Sequence, residues 1–179
     1  LGKGYMSTTT FIANRGCSNK CSFCSINVLC GKGNYKRPIE EVIEEVKGIK
    51  SKYMILLDPS PDSDPDYAKQ LFEALIPLKI KWGGLSTIKL AEDDELVDLM
   101  IRSGCVGTLI GFESAVQSNM RDTRKGFNKV GKYKENVKKL HDRNIPILGC
   151  FILGFDNDTV EGLNELADIV EDIGIDLPR

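Results

Sequence analysis

Three cysteines stand within eight residues, Cys17, Cys21 and Cys24, in the order C-x3-C-x2-C. That spacing places three thiolates on one short loop, close enough to grip a single inorganic cluster. Iron–sulfur clusters are held by Cys thiolates, and a [4Fe–4S] cube normally takes four of them. Three would leave one iron without a protein ligand, open to a substrate or cofactor. Two other uses of the thiols compete. A zinc site pairs C-x2-C with two further Cys or His ligands to complete a tetrahedron. Here there is one histidine, His141, and no second C-x2-C, which disfavours zinc. A disulfide framework is disfavoured more strongly, because Cys30, Cys105 and Cys150 are scattered through 179 residues and nothing marks secretion. The residues themselves favour a cluster-binding loop.

Read as C-x3-C-x-aromatic-C, with Phe23 as the aromatic, the loop resembles the signature of the radical SAM superfamily. Further segments agree. Arg15-Gly16-Cys17 leads the loop, and Arg37-Pro38-Ile39-Glu40-Glu41-Val42 follows it. Gly104-Cys105 precedes Ile110-Gly111-Phe112-Glu113-Ser114, and Gly154-Phe155-Asp156 comes later. Together they are similar to the branch often found behind a cobalamin-binding domain, related more distantly to methylthiotransferases. The similarity runs from about Thr8 to Asp176. It implies that the open iron chelates the amino and carboxylate groups of S-adenosylmethionine (SAM). A reduced cluster then splits the sulfonium to methionine and a 5′-deoxyadenosyl radical, which abstracts a hydrogen atom. In such a division of labour the cofactor carries the hard chemistry, and the protein orients it. The resemblance also implies a reductant such as flavodoxin or ferredoxin. For this branch it implies methyl transfer to an unactivated carbon, with cobalamin bound by a domain outside this chain. Two alternatives stand beside that reading: a methylthiotransferase-like modifier of RNA or protein, which needs a second cluster, and a non-catalytic iron–sulfur module. A fourth ligand from Cys30 would favour the module.

The same resemblance implies roles for single residues, each with a plainer structural counterpart. Phe23 would pack on the adenine, or simply fill the core. Lys20 lies inside the loop and is read as an exposed lysine. Asp58 ends the second strand, where relatives meet the amino group of the methionine. Leu56-Leu57-Asp58-Pro59-Ser60 keeps only the first acid of the family's pair, and Pro59 lacks an N–H. Capping of the turn before Asp64-Pro65 is the alternative for Asp58. Glu113 would accept ribose hydroxyls, since charged acceptors make the stronger hydrogen bonds; otherwise it is an acid at a helix start. Ser86 and Thr87 would line the same cavity, with Leu85 where the family has Gln. Cys150-Phe151-Ile152-Leu153-Gly154 is similar to G-x-I-x-G, keeping Ile152 and Gly154 beside the adenine but replacing the first Gly by Cys150. Cys30, Cys105 and Cys150 are otherwise read as small core hydrophobes.

An alternation of strands and helices must position these groups. A β-rich run, Thr9 to Ala13, leads into the cysteine loop. Apolar stripes at helical spacing predict helices over Pro38–Lys50, from Asp64-Pro65 through Leu75, over Asp93–Ser103 with a stop at Gly104, over Lys132–Arg143, and over Thr159–Ile173 with a stop at Gly174. Between them lie strands at Tyr53–Leu57, Lys79–Leu85, Val106–Ile110 and Ile147–Leu153. Strands separated by helices form parallel sheets with right-handed crossovers. The reading is therefore an α/β fold of about five βα units. The resemblance makes it a partial (β/α) barrel with its sixth strand truncated, and residues 1–179 one core domain cut at both ends from a longer protein. In such barrels reactive groups cluster where strands end and loops begin.

Composition narrows the partners. A net charge of −2 and a pI near 5.6 create no field favouring nucleic acid or an acidic membrane. From Ala115 to Asn144, nine Lys or Arg face three acids, a local +6 that is read as a solvated helix face, since no nucleic-acid signature accompanies it, with contact to an anionic substrate or tRNA as the alternative. The longest apolar run, Ile147 to Phe155, is about half a membrane span. With no signal-peptide layout and with reduced-thiol chemistry, the expected location is the cytoplasm. A lone histidine argues against Ser-His-Asp or Cys-His catalysis.

Overall fold

The computed structural model describes residues 9–31 and 33–179; Thr8, where the family similarity begins, lies outside them. Six strands form one sheet: β1 (Thr9–Phe11), β4 (Tyr53–Leu56), β5 (Lys81–Ser86), β6 (Cys105–Glu113), β7 (Ile147–Phe151) and β8 (Leu177–Pro178), hydrogen-bonded in that order. Every neighbouring pair is parallel. A separate antiparallel ribbon of β2 (Asn14–Gly16) and β3 (Asn34–Lys36) flanks the cysteine loop and the short helix α1 (Ile26–Leu29). The sixth strand, β8, pairs Leu177 and Pro178 with Leu148 and Gly149.

The helices that return the chain between strands are α2 (Ile39–Gly48), α3 (Pro65–Leu75), α4 (Asp94–Arg102), α5 (Gln117–Asp122) with α6 (Tyr133–His141), and α7 (Val160–Ile173). Their ends follow local chemistry. Asp64 accepts the Tyr67 N–H, with Pro65 in the first turn, and Asp93 accepts the Leu96 N–H. After α4, Gly104 adopts a φ of +100°, and a Cβ there would lie 2.0 Å from the Ile80 carbonyl oxygen. Only glycine fits between that helix and β5.

One face of the sheet packs on the helices. Leu56, Trp82, Ile110, Phe112 and Ile147 are buried there with Leu71, Leu75, Leu96, Tyr133 and Leu140. Tyr133 meets Phe112 edge-on at 4.9 Å and donates its hydroxyl to the Phe112 carbonyl. The alternate residues, among them Leu57, Leu85, Leu109 and Cys150, face the concave side and line cavities. That alternation is the period of two along a strand, and the concave side holds the site.

The basic stretch is largely neutralised. Lys132, Lys134, Lys138, Lys139 and Arg143 form largely exposed ion pairs with acids of α4, α6, α7 and neighbouring turns, while Lys125 pairs with the buried Glu113 of β6. Exposed pairs of this kind contribute little stability, but they leave a mixed-charge helix face in place of a continuous basic surface. Among the described residues no helix is long and apolar enough to cross a membrane.

Candidate cluster and cofactor site

The cysteine loop grows out of the β2–β3 ribbon. Gly16, just before Cys17, has a φ of +94°, and a Cβ there would lie 2.1 Å from the Gly33 carbonyl oxygen. The missing side chain lets the two strands close at the base of the loop. Several tethers fix that base. Asp58 accepts the Ala13 N–H at 2.8 Å. Tyr67 Oη lies 3.1 Å and 2.7 Å from the Ala13 and Arg37 carbonyls. Arg37 donates to the Ile12 carbonyl and to Glu45. Ser18 donates to the Ser63 carbonyl, and the Ser22 N–H to the Thr123 carbonyl at 2.9 Å.

Cys17, Cys21 and Cys24 all line one cavity of about 420 Å³, which lies over the C-terminal ends of β4 to β7. Cys21 is the most buried of the three. Burial pushes its thiol up, while the Lys125 ammonium pulls it down. Among the described residues no three Cys, His, Asp or Glu side chains converge as they would on one metal ion. Thiolates that grip a polynuclear cluster bind different irons, so they need share only a wall and an opening. The loop thiols meet that requirement. Cys30 caps α1 and does not line the cavity, whereas a fourth thiol, Cys150, reaches it from β7.

Glu113 enters the cavity through a local distortion. The β6–β7 register shifts between Gly111 and Glu113, and Glu113 itself has a φ of +67°. Bulges of this sort re-aim side chains next to active sites, and a non-glycine residue in the left-handed region costs roughly 1–2 kcal/mol. The Glu113 carboxylate pairs with Lys125 Nζ at 2.5 Å, and both side chains are buried to about nine-tenths (11% and 8% exposed). A Cβ on Gly111 would lie 2.2 Å from Glu113 Oε1 and 2.9 Å from Lys125 Nζ, so this glycine makes room for the pair. Lys125 Nζ also stands 5.9 Å from the centre of the Phe23 ring, within cation–π range. In the sequence Lys125 is one of nine basic residues in a charged stretch. Nothing in the sequence singles it out; in the structure Arg124, just before it, turns the chain through a φ of +57°.

The other residues named from the sequence are distributed unevenly. Phe23 lines the cavity and is 41% exposed, its ring 6.3 Å from that of Phe155. Ser86 lines it too, its hydroxyl 2.7 Å from that of Thr108. Thr87 is fastened by its N–H and hydroxyl to Asp62, whose carboxyl is pushed up by burial. Asp58 does not line the cavity. Its carboxylate, 1% exposed, supports the Ala13 backbone in place of capping the Asp64-Pro65 turn, and burial pushes its pKa up to about 6 against the pull of the Asn14 and Ala13 N–H groups. Ile152 lines a neighbouring cavity of about 190 Å³ that shares Glu113, and Gly154 lines neither. Gly154 instead donates its N–H to Asp158 in a turn with a φ of +93°. From that motif it is Cys150 that faces the candidate site. Cys105 is a buried core thiol pushed up to about 12.

Known proteins resemble this chain in sequence and in fold. The chain is 30% identical to the bacteriochlorophyllide d C-12(1)-methyltransferase of Chlorobaculum tepidum over 98% of its length, which is 40% of that protein. It is 26% identical to the cytidylyl-2-hydroxyethylphosphonate methyltransferase of Streptomyces wedmorensis over 90% of the chain and 32% of that protein. It therefore spans well under half of either relative. Its fold superposes on the radical S-adenosylmethionine methyltransferase TsrM from Kitasatospora setae, solved with cobalamin and a [4Fe–4S] cluster, with a TM-score of 0.84 and 17% identity over 96% of this chain and 36% of that one. The family profile of the Radical SAM superfamily matches residues 11–170, and with the cysteine loop placed over the strand ends of a partial β/α barrel, this chain belongs to the radical SAM superfamily.

Proposed function

We propose that this chain is the radical-generating core of a radical SAM methyltransferase that works with cobalamin held elsewhere in the full-length protein. The observation that carries the reading is the opening of Cys17, Cys21 and Cys24 into one cavity over the strand ends, shared with the buried Glu113–Lys125 pair. Methyltransferases among the relatives support the reaction class. A reduced [4Fe–4S] cluster, when bound, supplies the electron that cleaves the sulfonium of SAM. The chain's own residues do the rest. Cys17, Cys21 and Cys24 would hold three irons as thiolates, leaving the fourth open. Lys125 offers an ammonium to a carboxylate, and Glu113 an acceptor to hydroxyl or ammonium groups, so the two suit a zwitterionic nucleoside. Leu57, Pro59, Leu85, Leu109 and Phe127 give the cavity an apolar wall, which excludes water from a radical and strengthens the polar contacts that remain. A flavodoxin or ferredoxin would serve as reductant.

Cys150 favours a second reading. As a fourth thiolate it would close the open iron and leave an electron-transfer or structural cluster. Product analysis separates the two. The full-length protein, reconstituted anaerobically and given SAM and a strong reductant, should form 5′-deoxyadenosine and methionine. Cys21→Ala should lose both the products and the bound iron. A wild-type protein that holds iron yet never consumes SAM would overturn the proposal.

A further inference from the structure

Asn119, on α5, is 1% exposed and uses the full hydrogen-bonding capacity of its amide. Its Nδ2 donates to Ser114 Oγ at 3.0 Å and to Asp158 Oδ1 at 2.7 Å. Its Oδ1 accepts the Asn157 N–H at 3.3 Å and Asn157 Nδ2 at 3.0 Å. The reversed amide would set donors against donors, so the orientation is fixed by its partners.

These bonds join segments that are remote in sequence and adjacent at the site. Ser114 follows Glu113 at the end of β6. The other oxygen of Asp158 accepts the N–H groups of Gly154 and Phe155 at 2.9 Å and 3.0 Å, and the Phe155 ring faces Phe23 of the cysteine loop. From the far end of α5, Thr123 donates its hydroxyl to the Asn119 carbonyl at 2.6 Å and accepts the Ser22 N–H through its own carbonyl. The Lys125 N–H is held by the Met120 carbonyl, which sets the ammonium against Glu113. One buried amide therefore lies between the cysteine loop, the Glu113–Lys125 pair and the loop after β7.

We propose that Asn119 is a positioning residue that, through Asp158, sets the loop after β7 against the cysteine loop and so fixes the mouth of the cavity. It acts through other groups, since it does not line the cavity itself. Removing it takes from the part-buried Asp158 the donor that ties it to α5, and frees Gly154 and Phe155 to move from Phe23. The proposal rests on the reading of this cavity as the SAM site, and its test has one readout that does not.

The experiment compares wild type, Asn119→Ala, Asn119→Asp and the exchanged pair Asn119→Asp with Asp158→Asn, all in the full-length protein. The exchange restores a carboxylate–amide contact with the partners reversed. Hydrogen exchange in peptides covering 20–24 and 153–158 is read first, then iron content and equilibrium binding of SAM. Asn119→Asp, with two carboxylates in contact, should lose protection in both peptides and bind SAM at least tenfold more weakly while keeping its iron. The exchanged pair should recover protection and come within about threefold of wild-type affinity. Unchanged protection in both single variants overturns the proposal. So does general loss of iron and fold that the exchange fails to repair, which would make Asn119 an ordinary core residue. A wild type indifferent to SAM overturns the reading of the cavity, and exchange protection alone then decides the role of Asn119.

Discussion

Lys125→Met removes one member of a buried ion pair and keeps the length of the side chain. Its partner Glu113 is left with its carboxylate about nine-tenths buried and its Lys125 contact gone. Breaking such pairs typically costs about 3–5 kcal/mol, because an uncompensated charge stays buried. In the apoprotein the cavity beside the pair opens to water, which reaches the carboxylate, so a cost below that range, about 2–3 kcal/mol, is expected. With a urea m-value of about 2 kcal/mol per molar, the unfolding midpoint of the apoprotein should fall by roughly 1–1.5 M. The informative comparison is the double variant Lys125→Met with Glu113→Gln. It carries one more substitution, yet it replaces a buried charge by a neutral amide, so it should be more stable than Lys125→Met alone. Circular dichroism during urea titration, at one pH and salt concentration, reads both midpoints. A Lys125→Met midpoint within about 0.2 M of wild type, or a double variant less stable than the single, would refute the view that Glu113 depends on this ammonium.

Further outcomes follow from the base of the cysteine loop. The Asp58 carboxyl, raised to about 6 by burial, binds its proton more tightly folded than unfolded, so the charged form weighs against folding as pH rises from about 4 through 6. Asp58→Asn keeps an acceptor for the Ala13 N–H without that charge. Its stability relative to wild type should therefore improve by about 2 kcal/mol between pH 4 and pH 7 in paired urea titrations; a pH-independent difference would contradict this. Gly16→Ala must bring a Cβ within 2.1 Å of the Gly33 oxygen at a φ of +94°. It should open the β2–β3 ribbon and cut iron loading severalfold, as measured by iron per chain, and full loading would show the ribbon to be dispensable.

Much of this was legible in the sequence. The cysteine spacing named the loop, the apolar stripes and caps placed α2, α3, α4 and α7, and Gly104 and Gly174 marked their stops, because each rests on chemistry within a turn or two. The ribbon of β2 and β3 was not legible, since three-residue strands carry no periodicity. β6 runs on past Ile110 to Glu113, where a bulge redirects the side chain that matters. Lys125 looked like one charge in a basic run; its role depends on a missing Cβ at Gly111, fourteen residues earlier. For Asp58, sequence gave a strand end near the site but not the side its carboxylate takes, which the Ala13 N–H decides. Ile152 and Gly154 matched a motif whose orientation depends on where β7 stops, and Cys150 faces the cavity in their place.

The most direct measurement is the low-temperature EPR spectrum of the reconstituted, reduced full-length protein, recorded with and without SAM. A [4Fe–4S]+ signal that shifts on adding SAM is the expected result, because three loop cysteines would leave one iron for the cofactor. A cluster signal indifferent to SAM would contradict the assignment and point to a fourth thiolate, with Cys150 the first to replace.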